Sequence, residues 1–302
     1  MDFILTLVAG PDKNAPLTDA IVAVARDALN TLGAETTAPD WLAPDKACDV
    51  FVSGTSPKSV EQTARTALRA YPVDIAVGPA LGRKKKLLVA DMDATIVVNE
   101  TLDEIADHVG LKAEVAAITA QAMRGEIEYH ESLRRRVALL KDLPETALAE
   151  TYARTVVSPG AEALVRTMRA WGAITALVSS GFDYFTGRVR ERVGFEFDFG
   201  NEFAIENGKL TGKVVEPIFD RFAKLETLKM LAGKYAVTQP MTLAVGDGAN
   251  DLEMVKWAGL GVAYHAKPIL ADAANARIDH GDLTTLLYMQ GYREAEIVRS
   301  SS

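Results

Sequence analysis

Three short runs in this chain are almost wholly apolar: Leu87–Ala90, Ile174–Val178 and Met241–Val245, broken only by Thr175 and Thr242. A run without a polar face suits a strand covered on both sides, so the three predict neighbouring strands of a parallel sheet wrapped by helices. Between the first two, residues 100–158 read mostly as helix. Thr101-Leu102-Asp103-Glu104 has capping-box spacing, Leu102, Ile105, Ala106 and Val109 share a face, and Gly110 is the stop. A second helix is expected from Lys112 to Gly125 and a third from His130 to Lys141, with Leu133, Val137 and Leu140 on one stripe; Pro144 opens a fourth. A helical module inserted beside a strand end is placed to act as a lid that expels water. Asn207-Gly208, between Glu202–Glu206 and Lys209–Thr211, signals a hairpin with a structural role.

The first 80 residues alternate differently: strand Phe3–Ala9, helix Leu17–Leu32, extended Asp49–Ser53, helix Val60–Ala70, strand Val73–Val77. That order suits a small α+β sandwich. The basic run Arg83-Lys84-Lys85-Lys86 reads as a solvated strand entry at a domain boundary.

Composition narrows the function classes. The 302 residues suggest two compact units or one large one, and 48% hydrophobic with 25% charged residues is ordinary for a folded chain. A net charge of −8 argues against broad attraction to nucleic acid or anionic membrane, so an anionic substrate needs a local cationic site. Cys48 stands alone, which excludes an internal disulfide and suits a buried small hydrophobe. No apolar stretch nears the ~18 residues of a membrane helix and the start lacks a leader pattern, so a cytoplasmic protein is expected. His108, His130, His265 and His280 lack metal-ligand spacing.

Each apolar run ends beside a reactive group: Asp91 and Asp93, Ser179 and Ser180, Asp247. Ligands of open parallel sheets bind beyond the carboxyl ends of the strands, so these groups are expected to converge. In an extended segment Asp91 and Asp93 would share a face and raise one another's pKa unless a cation offset them, which suits a nucleophile beside a proton donor. Alone, the pair fits a Ca²⁺ or Mg²⁺ loop or a plain turn equally well. Gly246-Asp247-Gly248-Ala249-Asn250-Asp251 adds oxygen ligands for a hard cation, or else caps the following helix. Ser179-Ser180-Gly181 offers hydroxyl and N–H donors to a phosphate. Lys224 could neutralise phosphoryl charge, although by itself it reads as a solvated surface lysine.

In chain order, Asp91-x-Asp93-x-Thr95, Ser179, Lys224 and Gly246-Asp247-x-x-Asn250-Asp251 resemble the four motifs of the haloacid-dehalogenase-like phosphohydrolases. Residues 98–106, 132–144 and 266–270 are further similar to the phosphoserine phosphatase family within that superfamily, and the resemblance covers residues 85 to 290. The expected fold is α/β: a Rossmann-like parallel sheet core, a helical cap inserted at about 100–158, and a β-hairpin at about 198–216. This phosphatase domain (81–302) follows an amino-terminal α+β domain (1–80) of the ferredoxin-like, ACT-like kind.

The resemblance implies a phosphomonoesterase that acts on O-phospho-L-serine. Asp91 would form an aspartyl-phosphate and Asp93 would serve as acid, then base. Mg²⁺ would be held by Asp91, the backbone carbonyl of Asp93, and Asp247, with Asn250 and Asp251 supporting the metal and lysine end. Ser179, Ser180, Lys224 and Thr95 would bind phosphate. Glu100 would receive the substrate ammonium and Arg136 its carboxylate, with Met123 and Tyr129 lining the lid. At about 100° per residue, Arg136 borders the apolar stripe of its helix while Arg134 and Arg135 point elsewhere. Ala94 stands where serine is usual and Ser180 where glycine is usual. The amino-terminal domain is open between serine binding, homodimer formation and neither. A related phosphatase or phosphotransferase for another small ester would share the core, but Glu100 and Arg136 argue against it. A non-catalytic regulatory protein would not need Asp91, Asp93, Lys224 and Asp247 together.

Overall fold

In the computed structural model, which describes residues 3–12, 14–123 and 126–299, the amino-terminal strands form one antiparallel sheet. Its elements are β1 (Phe3–Ala9), α1 (Asp19–Thr31), β2 (Glu35–Thr36), β3 (Asp40–Ala43), β4 (Ala47–Ser53), α2 (Pro57–Ala67) and β5 (Val73–Pro79). The strand order is β2-β4-β1-β5, with β3 also on β4. Thr18 caps α1, and Ser56 followed by Pro57 starts α2, two ordinary helix openings. Val22, Ala25 and Leu29 of α1 join Val60 and Ala64 of α2 over Leu5, Leu7, Val50 and Val52, a core of their own. Cys48 is fully buried there, and burial pushes its thiol up to about 12, leaving it an inert small hydrophobe. Strands β2 and β3 are not legible in the sequence because they hold two and four residues, too few for a period to register.

The second sheet has seven strands in the order β12-β11-β10-β6-β7-β8-β9. The first, β6 (Leu87–Asp91), leads into four cap helices, α3 (Thr101–Asp107), α4 (Lys112–Met123), α5 (Tyr129–Ala138) and α6 (Thr146–Ala153). After them come α7 (Ala161–Ala170), β7 (Ile174–Phe182), α8 (Asp183–Val193), β8 (Phe197–Glu206), β9 (Lys209–Val215) and α9 (Arg221–Lys234). The chain closes with β10 (Thr242–Gly246), α10 (Leu252–Trp257), β11 (Leu260–Tyr264), α11 (Pro268–Ala271), β12 (Ala276–Ile278) and α12 (Thr285–Met289). The three apolar runs are the adjacent parallel strands β10, β6 and β7. Leu88 and Ala90 face one core, Leu87 and Val89 the other, which is why neither face of β6 tolerates a polar residue.

Two expectations require correction. Helix α3 has Glu100 as its N-cap with no side-chain capping bond, so no capping box forms; its first N–H is capped from outside by Asp93. Of the basic run only Lys86 is exposed as expected, and the other three are not solvated. Arg83 pairs with Asp49 (2.5 Å), Lys84 lies over the rings of Trp171 (3.7 Å) and Tyr292, and Lys85 is 6% exposed, donating to the carbonyls of Gly82 and Pro240. Residues 83–85 sit where the two sheets meet, so a buried carboxylate, aromatic faces and carbonyls replace water around them.

The hairpin continues the main sheet, since β8 pairs in parallel with β7 before turning antiparallel into β9. Asn207 (φ 51°) and Gly208 (φ 72°) make the tight turn. It also braces the cap: Asp142 N–H donates to Leu210 O and Glu145 N–H to Gly208 O, both at 2.9 Å. Among the described residues no helix is long and apolar enough to cross a membrane.

Candidate active site

Asp91 ends β6, is 2% exposed, and its Oδ1 accepts the N–H of Met92 (2.8 Å) and Nζ of Lys224 (2.6 Å). Asn250 donates to its Oδ2 at 3.3 Å. Lys224 is no surface lysine: wholly buried on α9, it also donates to Asp251 Oδ1 at 2.7 Å. Burial alone would lower its pKa, but Asp251 and Asp91 more than reverse that, so it stays an ammonium. Asp251 is saturated, its Oδ2 taking the N–H groups of Asp247 (3.1 Å) and Gly248 (3.2 Å).

Asp91 and Asp93 take separate partners, contrary to the shared face expected of an extended segment. The chain turns at Ala94 (φ 53°), and Asp93 reaches the cap side, where Oδ1 accepts Thr101 N–H and Oδ2 accepts the Ser179 hydroxyl, both at 2.8 Å. Burial, then the charge of Asp251 and to a lesser degree that of Asp247, pushes the Asp91 carboxyl well above the usual range against the pull of Lys224. Gly181 N–H donates to Ser179 Oγ at 2.8 Å. A Cβ on Gly181 would lie 2.9 Å from that Oγ and 3.1 Å from Asp93 Oδ2, so this position has no room for a side chain.

Three carboxylates, Asp91, Asp247 and Asp251, bring oxygens within 4.8 Å of one another, all buried. Lys267 pairs with Asp247 Oδ2 (3.1 Å), yet burial still raises Asp247, with Asp251 adding to it. An all-oxygen, buried, like-charged donor set suits a hard divalent cation, which would relieve that repulsion. Asp93 offers no carboxylate to this cluster, its side chain being engaged by Thr101 and Ser179, and Asp251, expected in a supporting place, stands beside Asp91 and Asp247.

The cap supplies a second set. Glu100, just before α3, is solvent-accessible, yet partial burial of its carboxyl, then Asp93 and Asp247, pushes its pKa up to about 7. Arg134 and Arg135 are exposed and paired with Glu216 and Glu131. Arg136 alone turns inward: half-buried, it donates to Ser132 O (3.3 Å) and Thr119 Oγ1 (3.4 Å) and has no carboxylate within 4.0 Å among the described residues. Burial lowers its pKa. Tyr129 donates to the Ser180 carbonyl at 2.9 Å, joining the cap to β7. The side chain of Met123 lies outside the described residues, as does Gly125.

The hydroxyls of Thr95 and Ser180, expected to bind phosphate, are buried with no partner among the described residues. The same holds for Thr101, expected only as a helix cap, and for Ser132, for which no role is read from the sequence. Three further contributions are not read from the sequence. Lys267 lies inside the 266–270 stretch that resembles the phosphatase family, a signal that could have found it. Asn201, whose amide donates to the carbonyls of Ser180 and Phe219, carries no local signal, and neither does the capping role of Asp93.

A model of the haloacid dehalogenase-like hydrolase family matches residues 88–256. A phosphoserine phosphatase of Archaeoglobus fulgidus is 42% identical over 229 residues, 75% of this chain and 67% of that protein. A phosphoserine phosphatase of Streptomyces coelicolor is 38% identical over 256 residues, 84% of this chain and 62% of that protein. The chain therefore spans about two thirds or less of the length of these two relatives. A crystal structure of a HAD family hydrolase from Salmonella enterica serovar Typhi aligns with a TM-score of 0.82 at 27% identity, covering 95% of this chain and 98% of that one.

Proposed function

Because the chain belongs to the haloacid dehalogenase-like hydrolases, we propose that it hydrolyses O-phospho-L-serine to L-serine and inorganic phosphate. One observation carries the substrate: beside a phosphoryl-type site stand Arg136, turned inward with no ion-pair partner among the described residues, and an acidic Glu100. A cap with one cation and one anion matches a zwitterionic amino acid, Arg136 taking the carboxylate and Glu100 the ammonium. The names of the two curated relatives support the same reading.

Asp91 attacks phosphorus while the P–O bond to serine breaks, giving an aspartyl-phosphate; Asp93 delivers a proton to the departing serine oxygen. A water then attacks phosphorus, loses its proton to Asp93, and frees Asp91 and phosphate. Ser179 and Lys224 hold phosphoryl oxygens, with Thr95 and Ser180 as further donors, and Tyr129 borders the serine part. We assign Mg²⁺ to Asp91, Asp247 and the Asp93 carbonyl, with Asp251 and Asn250 behind them, since Asp251 already has its oxygens occupied. Bound there, the ion would screen phosphoryl charge from the carboxylates. For residues 1–80 we propose a regulatory or dimer-forming role, suggested by the ACT-like strand order, which serine titration and sedimentation would check.

The test is phosphate release from L-phosphoserine, phosphothreonine, a sugar phosphate and p-nitrophenyl phosphate, with Mg²⁺ or a chelator. Mg²⁺-dependent preference for phosphoserine is expected, lost in Asp91→Asn and blunted by a KM increase of about tenfold or more in Arg136→Met. Turnover of the other esters with phosphoserine ignored would overturn the substrate assignment and retain the core chemistry.

A further inference from the structure

Between the amino-terminal sheet and the acidic cluster runs an unbroken series of polar contacts. Asp74, on β5 and 2% exposed, accepts the N–H groups of Asp279 (2.7 Å), His280 (3.0 Å) and Gly281 (2.7 Å). Three donors around one buried carboxylate fix the backbone of that loop. The loop packs closely enough to exclude a side chain there: a Cβ on Gly281 would meet Thr285 Oγ1 at 2.1 Å and Asp74 Oδ2 at 2.8 Å. The Gly281 carbonyl in turn accepts Nε2 of His265 at 2.9 Å, which makes that nitrogen the protonated one.

His265 has φ 43°, a left-handed conformation costing a non-glycine residue about 1 kcal/mol or more. It is retained because two bonds hold it, the ring contact to Gly281 and its own N–H to Ile278 O (2.8 Å). The turn aims the chain back at β10, so that two residues later Lys267 donates its N–H to Asp247 O (2.8 Å) and its Nζ to Asp247 Oδ2 (3.1 Å). A lysine pair this exposed holds little by itself, and what fixes it is where the backbone delivers its base.

We infer that Lys267 positions Asp247 for the cation, and that Asp74 acts as a remote positioning residue that holds Lys267 in place through the 279–281 loop and His265. This rests on Asp247 being a ligand of the ion. The amino-terminal sheet is then part of the metal site's support.

Mg²⁺ binding to the full chain, followed by titration calorimetry at constant ionic strength, tests this. Lys267→Met weakens binding about tenfold, as loss of an outer partner of a ligand does. Asp74→Asn weakens it about threefold. His265→Phe, which leaves the junction between the sheets intact, does the same and serves if Asp74→Asn does not fold. The double variant Asp74→Asn, Lys267→Met binds no more weakly than Lys267→Met alone, because one residue acts through the other. Arg293→Ala, which removes an exposed contact to Asp40 at the same junction, leaves affinity unchanged. Effects that multiply in the double variant, tighter binding by Lys267→Met, or wild-type affinity in folded Asp74→Asn and His265→Phe would each overturn the inference. Undiminished binding by Asp247→Asn would overturn the ligand assignment instead, and the inference with it.

Discussion

Asp93 accepts the backbone N–H of Thr101 at 2.8 Å, so the carboxylate two residues beyond Asp91 is also the N-terminal cap of the first lid helix. One side chain thereby ties the chemistry to the lid. Asp93→Asn keeps an oxygen for Thr101 and loses the proton-transfer group, so kcat should fall at least about a hundredfold with thermal stability near wild type. Asp93→Ala loses the cap as well, and unfolding should cost about 1 kcal/mol less. Paired melting curves and steady-state kinetics would check both; equal melting temperatures would rule out the capping role.

Lys224 is wholly buried between Asp91 and Asp251. Lys224→Met leaves two carboxylates without their cation, and a loss of about 3–5 kcal/mol in urea unfolding is expected. Adding Asp251→Asn should recover part of that loss with no return of turnover. A second substitution that only deepens the instability would contradict the charge argument.

Glu100 supplies a pH dependence whose sign follows from its folded pKa of about 7 against 4.5 when free. A carboxyl raised on folding favours the folded state fully below 4.5, and that contribution is lost as pH rises towards about 7. Metal-free wild type should therefore lose stability relative to Glu100→Gln across this window and no further above it. In the opposite sense, KM for phosphoserine should rise as pH falls below about 7, since a neutral Glu100 no longer attracts an ammonium, and Glu100→Gln should lack that rise. Parallel pH profiles for the two proteins would sink the assignment.

Gly181 lies against Ser179 Oγ and Asp93 Oδ2. Gly181→Ala should push both groups aside and lower kcat by about tenfold or more, with a smaller change in KM, because it disturbs the reacting end and leaves Arg136 alone. An alanine variant with wild-type kcat would show that these contacts are slack.

The sequence alone determined the longer strands from β1 to β10, most of the helices and the order of the reactive groups, while the short β2 and β3 and the last strands β11 and β12 carried no readable pattern. Apolar runs such as Leu87–Ala90 can only be strands covered on both sides, and parallel strands deliver the residues at their carboxyl ends to one edge of the sheet. The inward aim of Arg136 was equally legible, because helical spacing is a local property. Lys224 was not: nothing near it distinguishes a buried ammonium from a solvated one, and its burial exists only because Asp91 and Asp251, far along the chain, meet it. The basic residues 83–85 misled for the same reason, their carboxylate, carbonyl and aromatic partners lying between 34 and 212 residues away or, for one carbonyl, on the neighbouring turn. Which carboxylates cluster, what caps the first lid helix and how Asp74 reaches Asp247 were decided by tertiary structure, since burial and long-range hydrogen bonds depend on which surfaces meet.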